Sequence, residues 1–246
     1  MSIKSAEDLI GLRRAGAVTR KVIEAMKAAL RPGISTRELD KIGGEVMRQH
    51  GARSAPKLVY QFPGESCISV NEEIVHGVPG RRTLAPSDLV KLDVTVELDG
   101  YMADACETVA VPPVGREQQR LIDCAQNSFQ AGLRKVRPGA RVYEIGEAVQ
   151  KEVARAGFAI VRELSGHGIG RTIHEAPTVP NYRDPHCADV LTEGLVFTIE
   201  PLIAAGSGRM VTLKDGWTVR TLDRSLSAHY EHTLFVTAGG AQLLTA

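Results

Sequence analysis

Several features that would point to common protein classes are scarce or absent in this sequence. The four cysteines, Cys67, Cys106, Cys124 and Cys187, form no CxxC pair, which excludes a thiolate zinc site and a disulfide framework. Reduced cysteines of this kind predict a cytoplasmic protein. No apolar run approaches the ~18 residues of a membrane helix, and the polar start, Met1–Asp8, is unlike a signal peptide.

Nucleic-acid binding is also disfavoured by what is missing. Aromatic residues make up only 4% of the chain and the formal net charge is +1, so a base-stacking surface and a basic footprint are both lacking. The 43% hydrophobic and 24% charged residues are instead ordinary for a globular protein. At 246 residues, the chain predicts a single large domain of the α/β or α+β class.

Periodicity and breaker residues predict helices at two places and strands at two others. A capping pattern at Ser5–Asp8 begins the first helix, which ends before Pro32-Gly33. A second helix is predicted over Thr36–Gln49, before the helix-ending Gly51. Further along are a strand-like segment from Leu58 to Val111, two helices from Gln118 to Ala156 with a break at Pro138-Gly139, and strands with glycine-bearing loops from Phe158 to Leu244.

The order of these elements repeats, and the repeat is visible in the residues. Arg31-Pro32-Gly33 recurs as Arg137-Pro138-Gly139, and Leu84–Asp93 aligns with Leu191–Glu200. We interpret this as a duplicated helix–helix–strand unit with a pseudo-twofold axis. The equivalent strand of each half then delivers a carboxylate, Asp93 or Glu200. The two halves are predicted at about residues 5–115 and 116–244 of one domain that spans residues 1–246.

A predicted hairpin brings two acidic residues to one face. Asp99-Gly100 indicates a type I′ turn, which places Thr95 opposite Asp104. Asp93 then shares a face with Asp104 as its diagonal neighbour, about 7–8 Å away between backbones. Like charges in an apolar strand region need neutralisation by a metal ion, by basic side chains or by solvent, and the apolar setting favours a cation.

Other acidic residues and histidines fit either a structural or a chemical role. Glu200 and Glu231 each lie in or beside an apolar strand, where a salt bridge and a metal ligand are equally compatible with the pattern. His167 lies in a glycine-flanked turn that can bring the imidazole inward. His76 and His174 each follow an apolar residue and precede a proline-bearing loop, as a structural histidine or an acid–base group would. The remaining histidines are expected at the surface or only indirectly near a site: His50, His186, His229 and His232.

Six ordered segments together carry a resemblance to a known family. They are CISVNEEIVHGVPG, KLDVTVELDGYMAD, GHGIGRTIHEAP, FTIEPLI, KDGWTV and SLSAHYEHTLFVT. With them the chain resembles the bacterial type I methionine aminopeptidases from Ile3-Lys4 to Leu243-Leu244. The short interval between His174 and Glu200 leaves no room for the extra helical subdomain of type II enzymes. The resemblance implies an α+β pita-bread fold, with two pseudo-twofold-related halves around a curved antiparallel sheet.

The same resemblance implies the activity and its residues. It implies removal of the N-terminal methionine from nascent proteins with a small second residue, through a water held between two divalent ions. The ions implied are Co²⁺, Mn²⁺ or Fe²⁺, with Zn²⁺ and Ni²⁺ as alternatives. The implied metal ligands are Asp93, Asp104, His167, Glu200 and Glu231. The implied catalytic residues are His76, His174 and Glu200. The implied substrate-binding residues are Cys67, Tyr60, Phe62, Ile173, Trp217, His76 and His174.

Some departures and alternatives remain at this point. Ile173, Pro56 and Val59 stand where relatives often have Phe, Cys and Tyr, which leaves the strictness of methionine selection open. The resemblance implies a cytoplasmic monomer that meets nascent chains at the ribosome, without direct contact to nucleic acid or membrane. The alternatives are an X-Pro aminopeptidase, a non-catalytic binding protein of the same fold, and a carboxylate cluster for structural Ca²⁺.

Overall fold

The computed structural model describes all residues from 1 to 246, as five helices and fifteen strands. The helices are α1 (Ala6–Ala29), α2 (Thr36–Gln49), α3 (Ala55–Tyr60), α4 (Arg116–Leu133) and α5 (Val142–Ala156). The strands of the first half are β1 (Arg53–Ser54), β2 (Cys67–Val70), β3 (Glu73–Val75), β4 (Leu89–Leu98) and β5 (Tyr101–Ala110). Those that follow are β6 (Ala159–Ile160), β7 (Ser165–Gly168), β8 (Glu175–Pro180), β9 (Val196–Ile199) and β10 (Leu202–Ala204). The last are β11 (Met210–Thr212), β12 (Val219–Thr221), β13 (Ser227–His229), β14 (Glu231–Thr237) and β15 (Gly240–Leu243).

Capping residues mark the starts of the first two helices and the end of the second. Ser5 caps α1 by accepting a hydrogen bond from the amide of Asp8, and Ser35 and Glu38 form a reciprocal capping box on α2. Gly51 follows α2 in the left-handed region at φ +68°, as a helix-ending glycine should. Both predicted helices are therefore confirmed. None of the helices combines the length and apolar character needed to span a membrane.

The strand-like reading of the segment from Leu58 to Val111 is wrong at its start. Leu58, Val59 and Tyr60 belong to the short helix α3, which Ser54 caps at its beginning and which Gln61 ends at φ 60°. Pro56 occupies the first turn, where a missing amide hydrogen costs nothing. The apolar run mimics a buried strand, but its side chains are largely exposed. The cap and the proline, rather than the run, decide the conformation.

Nine strands form one antiparallel sheet that curls around the functional residues. Its order is β1-β4-β5-β14-β9-β7-β8, with β2 also paired to β4 and β15 to β14. The remaining strands form two small sheets of three strands each, β13-β10-β6 and β11-β12-β3. The α+β class predicted from the sequence is therefore confirmed.

Helices cover one face of the large sheet and leave the other face for the site. Helix α1 packs on β4 and β5, where Leu12 and Met26 share a core with Val94 and Val96. In the second half, α4 and α5 contribute to a core that includes Leu234 of β14. Because strand side chains alternate between faces, Asp93, Asp104 and Glu231 point away from these helices.

The predicted hairpin forms with the predicted register. Leu98 pairs with Tyr101, and Thr95 pairs with Asp104. Both turn residues have positive φ, 52° at Asp99 and 81° at Gly100, as a type I′ turn requires. The side-chain face of Asp93 and Asp104 follows directly from this register.

Candidate metal and substrate site

Four carboxylates converge from neighbouring strands of the curled sheet. Asp93 lies on β4, Asp104 on β5 and Glu231 at the start of β14, while Glu200 directly follows β9. Strands β5 and β14 are joined at this point by Thr233. Its hydroxyl accepts a hydrogen bond from the Asp104 amide at 2.8 Å and donates one to the Asp104 carbonyl at 2.8 Å. The pairing thus brings together acidic residues that are far apart in the sequence.

His167 enters the same site from β7 with its orientation defined. Its Nδ1 lies 3.0 Å from the carbonyl oxygen of Gly168, and a carbonyl can only accept, so Nδ1 carries the hydrogen. The unprotonated Nε2 then lies on the side of Glu200, 3.6 Å from its Oε1. A tautomer held by a backbone carbonyl is the usual arrangement of a histidine that binds a metal.

The electrostatics of this cluster favour a bound cation. Burial, together with the charge of Asp104, raises the pKa of Asp93 well above its ordinary value. Burial and the charges of Glu231 and Glu200 do the same to the pKa of Asp104. Burial and Glu200 raise the pKa of Glu231 to about 8. One oxygen each of Asp104 and Glu231, Oδ1 and Oε1, is buried without a hydrogen-bonding partner, so the residues fit a divalent ion.

The ligand atoms form two groups that share one residue. The first group contains Asp104, His167 and Glu231, and the second contains Glu200, His229 and Glu231. Within each group the atoms lie within 4.8 Å of one another. Asp93 lies in the wall of the same pocket without belonging to either group. Carboxylate oxygens with imidazole suit hard or borderline divalent ions such as Mn²⁺, Fe²⁺ and Co²⁺.

Of the two positions predicted for His229, the structure excludes the surface and places the residue next to the proposed ligands. Its side chain is 1% exposed and lines the pocket beside Glu200 and Glu231. The sequence contained one signal for this position of His229, which is its two-residue spacing from Glu231. Residues i and i+2 of an extended segment share a face. The remaining histidines lie elsewhere: His50 and His186 are exposed, and His232 is bonded to Thr245 and Tyr230.

The carboxylates line a pocket that also has a wall of apolar side chains. Its volume is about 330 Å³. Its walls include Cys67, Tyr60, Phe62, Ile173 and Trp217 together with Pro56, His76 and His174. The Phe62 and Trp217 rings meet edge to face with centroids 5.2 Å apart. Val59 does not line the pocket and is 41% exposed, so its difference from the family pattern leaves the pocket wall unaltered.

Two further histidines face the pocket in neutral form. Burial lowers the pKa of His76, whose backbone adopts the left-handed conformation at φ 58°. Burial and His167 lower the pKa of His174 to about 4. The hydroxyl of Tyr60 lies 2.5 Å from Nδ1 of His174, and the His174 and His167 rings are 4.3 Å apart between centroids. The left-handed backbone is a strained conformation of the kind that accumulates at functional sites.

Buried carboxylates and imidazoles at the base of a pocket define a metallohydrolase, and comparison with known families agrees. The sequence profile of metallopeptidase family M24 matches residues 11–238. The chain belongs to this family.

Within the family, the similarity is to methionine aminopeptidases over the whole chain. The Escherichia coli K12 methionine aminopeptidase is 43% identical over 247 residues, which cover 100% of this chain and 94% of that protein. The Clostridium perfringens methionine aminopeptidase is 40% identical over 243 residues, which cover 99% of this chain and 98% of that protein. The crystal structure of the Rickettsia prowazekii methionine aminopeptidase superposes with a TM-score of 0.96 at 36% identity, with 100% of both chains covered. The predicted pita-bread fold is therefore confirmed.

A more distant likeness extends to the fold alone. Prolidase from Pyrococcus furiosus superposes with a TM-score of 0.81 at 22% identity, covering 99% of this chain and 65% of that one.

Proposed function

We propose that the protein is a metal-dependent aminopeptidase that removes the N-terminal methionine from polypeptides whose second residue is small. The observation that carries the proposal is the pair of ligand groups joined at Glu231 in a pocket of about 330 Å³ that also has apolar walls. The methionine aminopeptidases that cover the whole chain support the same reaction. Because the ligands come from both halves of the fold, residues 1–246 would act as one catalytic domain.

The proposed metal ligands are the carboxylates and the imidazole described above: Asp93, Asp104, His167, Glu200 and Glu231. When bound there, two divalent ions supply Lewis acidity, which polarises a peptide carbonyl and acidifies water. The oxygen-rich set favours Mn²⁺, Fe²⁺ or Co²⁺. The Glu200 carboxylate faces the pocket and is proposed to accept the proton of the attacking water and return it to the leaving nitrogen.

His174 is proposed to stabilise the developing oxyanion. Its Nδ1 lies 2.5 Å from the Tyr60 hydroxyl and is proposed to accept the hydroxyl hydrogen, so that the neutral imidazole carries its own hydrogen on Nε2. A neutral Nε2–H donor can then bond to the oxygen of the scissile carbonyl as negative charge builds up. His76, held by its left-handed backbone, is proposed to contact the scissile peptide or its leaving nitrogen.

The apolar walls suit an unbranched thioether side chain. Cys67 and Ile173 are 6% and 3% exposed, and Phe62 and Trp217 present ring edges and faces to the pocket. Methionine fills irregular apolar space and its sulfur is attracted to aromatic rings. These residues are therefore proposed to select methionine at the substrate's first position, with Tyr60 at the pocket mouth.

Replacing Tyr60 with phenylalanine should lower kcat while KM changes little. The phenyl ring keeps the pocket wall, but the hydrogen bond that selects the His174 tautomer is lost. One such bond is worth about 1 kcal/mol, which corresponds to about a fivefold loss of kcat. Steady-state kinetics on a Met-Ala-Ser peptide would measure it, with Tyr143→Phe on α5 as the control. An unchanged kcat in Tyr60→Phe would contradict the tautomer assignment.

The proposed function is tested by stripping the protein with a chelator and reloading it with Mn²⁺, Co²⁺ or Fe²⁺. The amino acid released from Met-Ala-Ser, Met-Leu-Ser, Leu-Ala-Ser and Ala-Pro-Ser peptides is then measured. We expect metal-dependent release of methionine from Met-Ala-Ser and little from Met-Leu-Ser. Release from Leu-Ala-Ser as well would show that Ile173 leaves the pocket permissive. Cleavage of Ala-Pro-Ser alone would replace the assignment with an X-Pro enzyme, and no release with any metal would refute catalysis.

The cellular setting follows from the substrate and is proposed with it. Chains with an N-terminal methionine are made at the ribosome, so nascent chains are the proposed partners. The protein is proposed to act on them as a monomer in the cytoplasm. All four cysteines are free thiols in the structure, as in proteins of a reducing compartment. Co-sedimentation with translating ribosomes and size-exclusion chromatography would measure these two properties.

A further inference from the structure

His229 occupies a fixed position between two carboxylates of the proposed metal site. Its backbone amide donates to the Thr108 hydroxyl at 2.8 Å, and that hydroxyl donates back to the His229 carbonyl at 2.7 Å. Its strand, β13, pairs with β10 so that His229 lies opposite Leu202. The backbone is therefore anchored on both sides, and the imidazole is held in the pocket wall.

The imidazole itself has no hydrogen-bonding partner in the protein. Both Nδ1 and Nε2 are buried and unpaired, although leaving a buried polar group unsatisfied costs about 1–3 kcal/mol. Nε2 lies 3.5 Å from Glu200 Oε2 and 3.4 Å from Glu231 Oε2. These separations exceed the usual 2.7–3.2 Å of a hydrogen bond to nitrogen.

The same separations match those between ligands of a common ion. Two ligand atoms about 2.1 Å from one metal lie about 3–4 Å apart at tetrahedral or octahedral angles. The atoms of Glu200, His229 and Glu231 all lie within 4.8 Å of one another. An ion among them would give Nε2 of His229 a partner and offset the charge of both carboxylates at once.

We propose that His229 is a metal ligand, so that a dinuclear centre here would carry two imidazoles, those of His167 and His229. His167 lies in the ligand group with Asp104, His229 lies in the group with Glu200, and Glu231 belongs to both groups. This assignment rests on the proposed metal-dependent function and adds a nitrogen ligand to it. A second nitrogen donor in the centre would favour borderline metals such as Fe²⁺ and Co²⁺ more strongly than oxygen ligands alone do.

Proton NMR of the Co²⁺-loaded protein counts the imidazole ligands directly. A histidine bound to Co²⁺ through one nitrogen shows a strongly shifted N–H signal from the other, which disappears in D₂O. We expect two such signals in the fully loaded protein and the loss of one in His229→Gln. His50→Gln, at the exposed end of α2, serves as the control and should keep both.

A second measurement separates metal binding from folding. In calorimetric titration with Co²⁺, His229→Gln should lose at least about tenfold in affinity for one ion, with the other little changed. Circular dichroism checks that the variant folds. If the variant does not fold, the number of shifted N–H signals in the unaltered protein still tests the proposal. Two bound ions with one shifted N–H signal would overturn the role of His229 and leave the proposed function intact. Failure to bind Co²⁺ at all would overturn both.

Discussion

Replacement of His174 with alanine should lower kcat/KM for Met-Ala-Ser by about 10²–10⁴-fold, the usual contribution of a positioned acid–base or donor group. The loss should lie mainly in kcat, because the donor acts on charge that develops only in the transition state. His174 belongs to neither group of ligand atoms, so the metal content should stay unchanged. Steady-state kinetics with metal analysis by atomic emission measures both quantities.

His76→Ala provides the companion measurement, with a similar loss expected. His50→Gln, remote from the pocket, is the control for changing a histidine as such. Near-normal turnover in His174→Ala would remove that residue from the mechanism. A loss of metal together with activity would instead make its role structural.

Replacement of Glu231 with alanine should abolish turnover by removing both bound ions. Glu231 belongs to both groups of ligand atoms, whereas each other member belongs to one. Lewis acidity is worth several kcal/mol in such sites, so at least about a 10³-fold loss of kcat/KM is expected. Calorimetric titration with Mn²⁺ would show whether one ion or both are lost.

Glu107→Gln is the matched control for Glu231→Ala. Glu107 is also a buried carboxylate of this sheet, but it pairs with Arg20 and Lys27 outside the pocket. Its loss should lower thermal stability and leave the stoichiometry of metal binding unaltered. If Glu231→Ala still bound two ions with normal affinity, the shared-ligand assignment would be wrong.

Metal uptake should also depend on pH in a defined direction. Burial and Glu200 raise the pKa of Glu231 to about 8 in the metal-free protein, so its carboxyl is protonated below that pH. Since the bound ion needs the carboxylate, binding releases the proton. Apparent Mn²⁺ affinity should therefore rise as the pH increases towards about 8, by up to about tenfold per pH unit for each proton released. Titration in buffers of different ionisation enthalpy counts these protons, and an affinity independent of pH would contradict the expectation.

Local signals in the sequence predicted a substantial part of the fold. Ser5 marks the start of the first helix because a side-chain oxygen satisfies free amides in the first turn, and Gly51 marks the end of the second. Asp99-Gly100 predicts the β4–β5 register because a type I′ turn needs two residues with positive φ. The common face of Asp93 and Asp104 follows from that register alone.

The prediction for α3 was wrong because its apolar run favours a strand, whereas the residues around the start of that run favour a helix. Leu58-Val59-Tyr60 follows Ser54 and Pro56, which favour a helix start, but the apolar run itself suits a strand. A helix of six residues has little periodicity to recognise. The consequence is functional, since the C-terminal residue of α3, Tyr60, meets His174 from more than a hundred residues away.

The sequence by itself determined the limits of the first two helices, the hairpin register and the residue types of the site, because these depend on neighbouring residues and on motifs. Only the tertiary structure decided which side chains meet. The pairing of β14 with β5 and β9 joins Asp104, Glu200 and Glu231, and the pairing of β13 with β10 brings in His229. Such contacts arise when distant strands close around a common core, and no local propensity in His229 or Tyr60 encodes them.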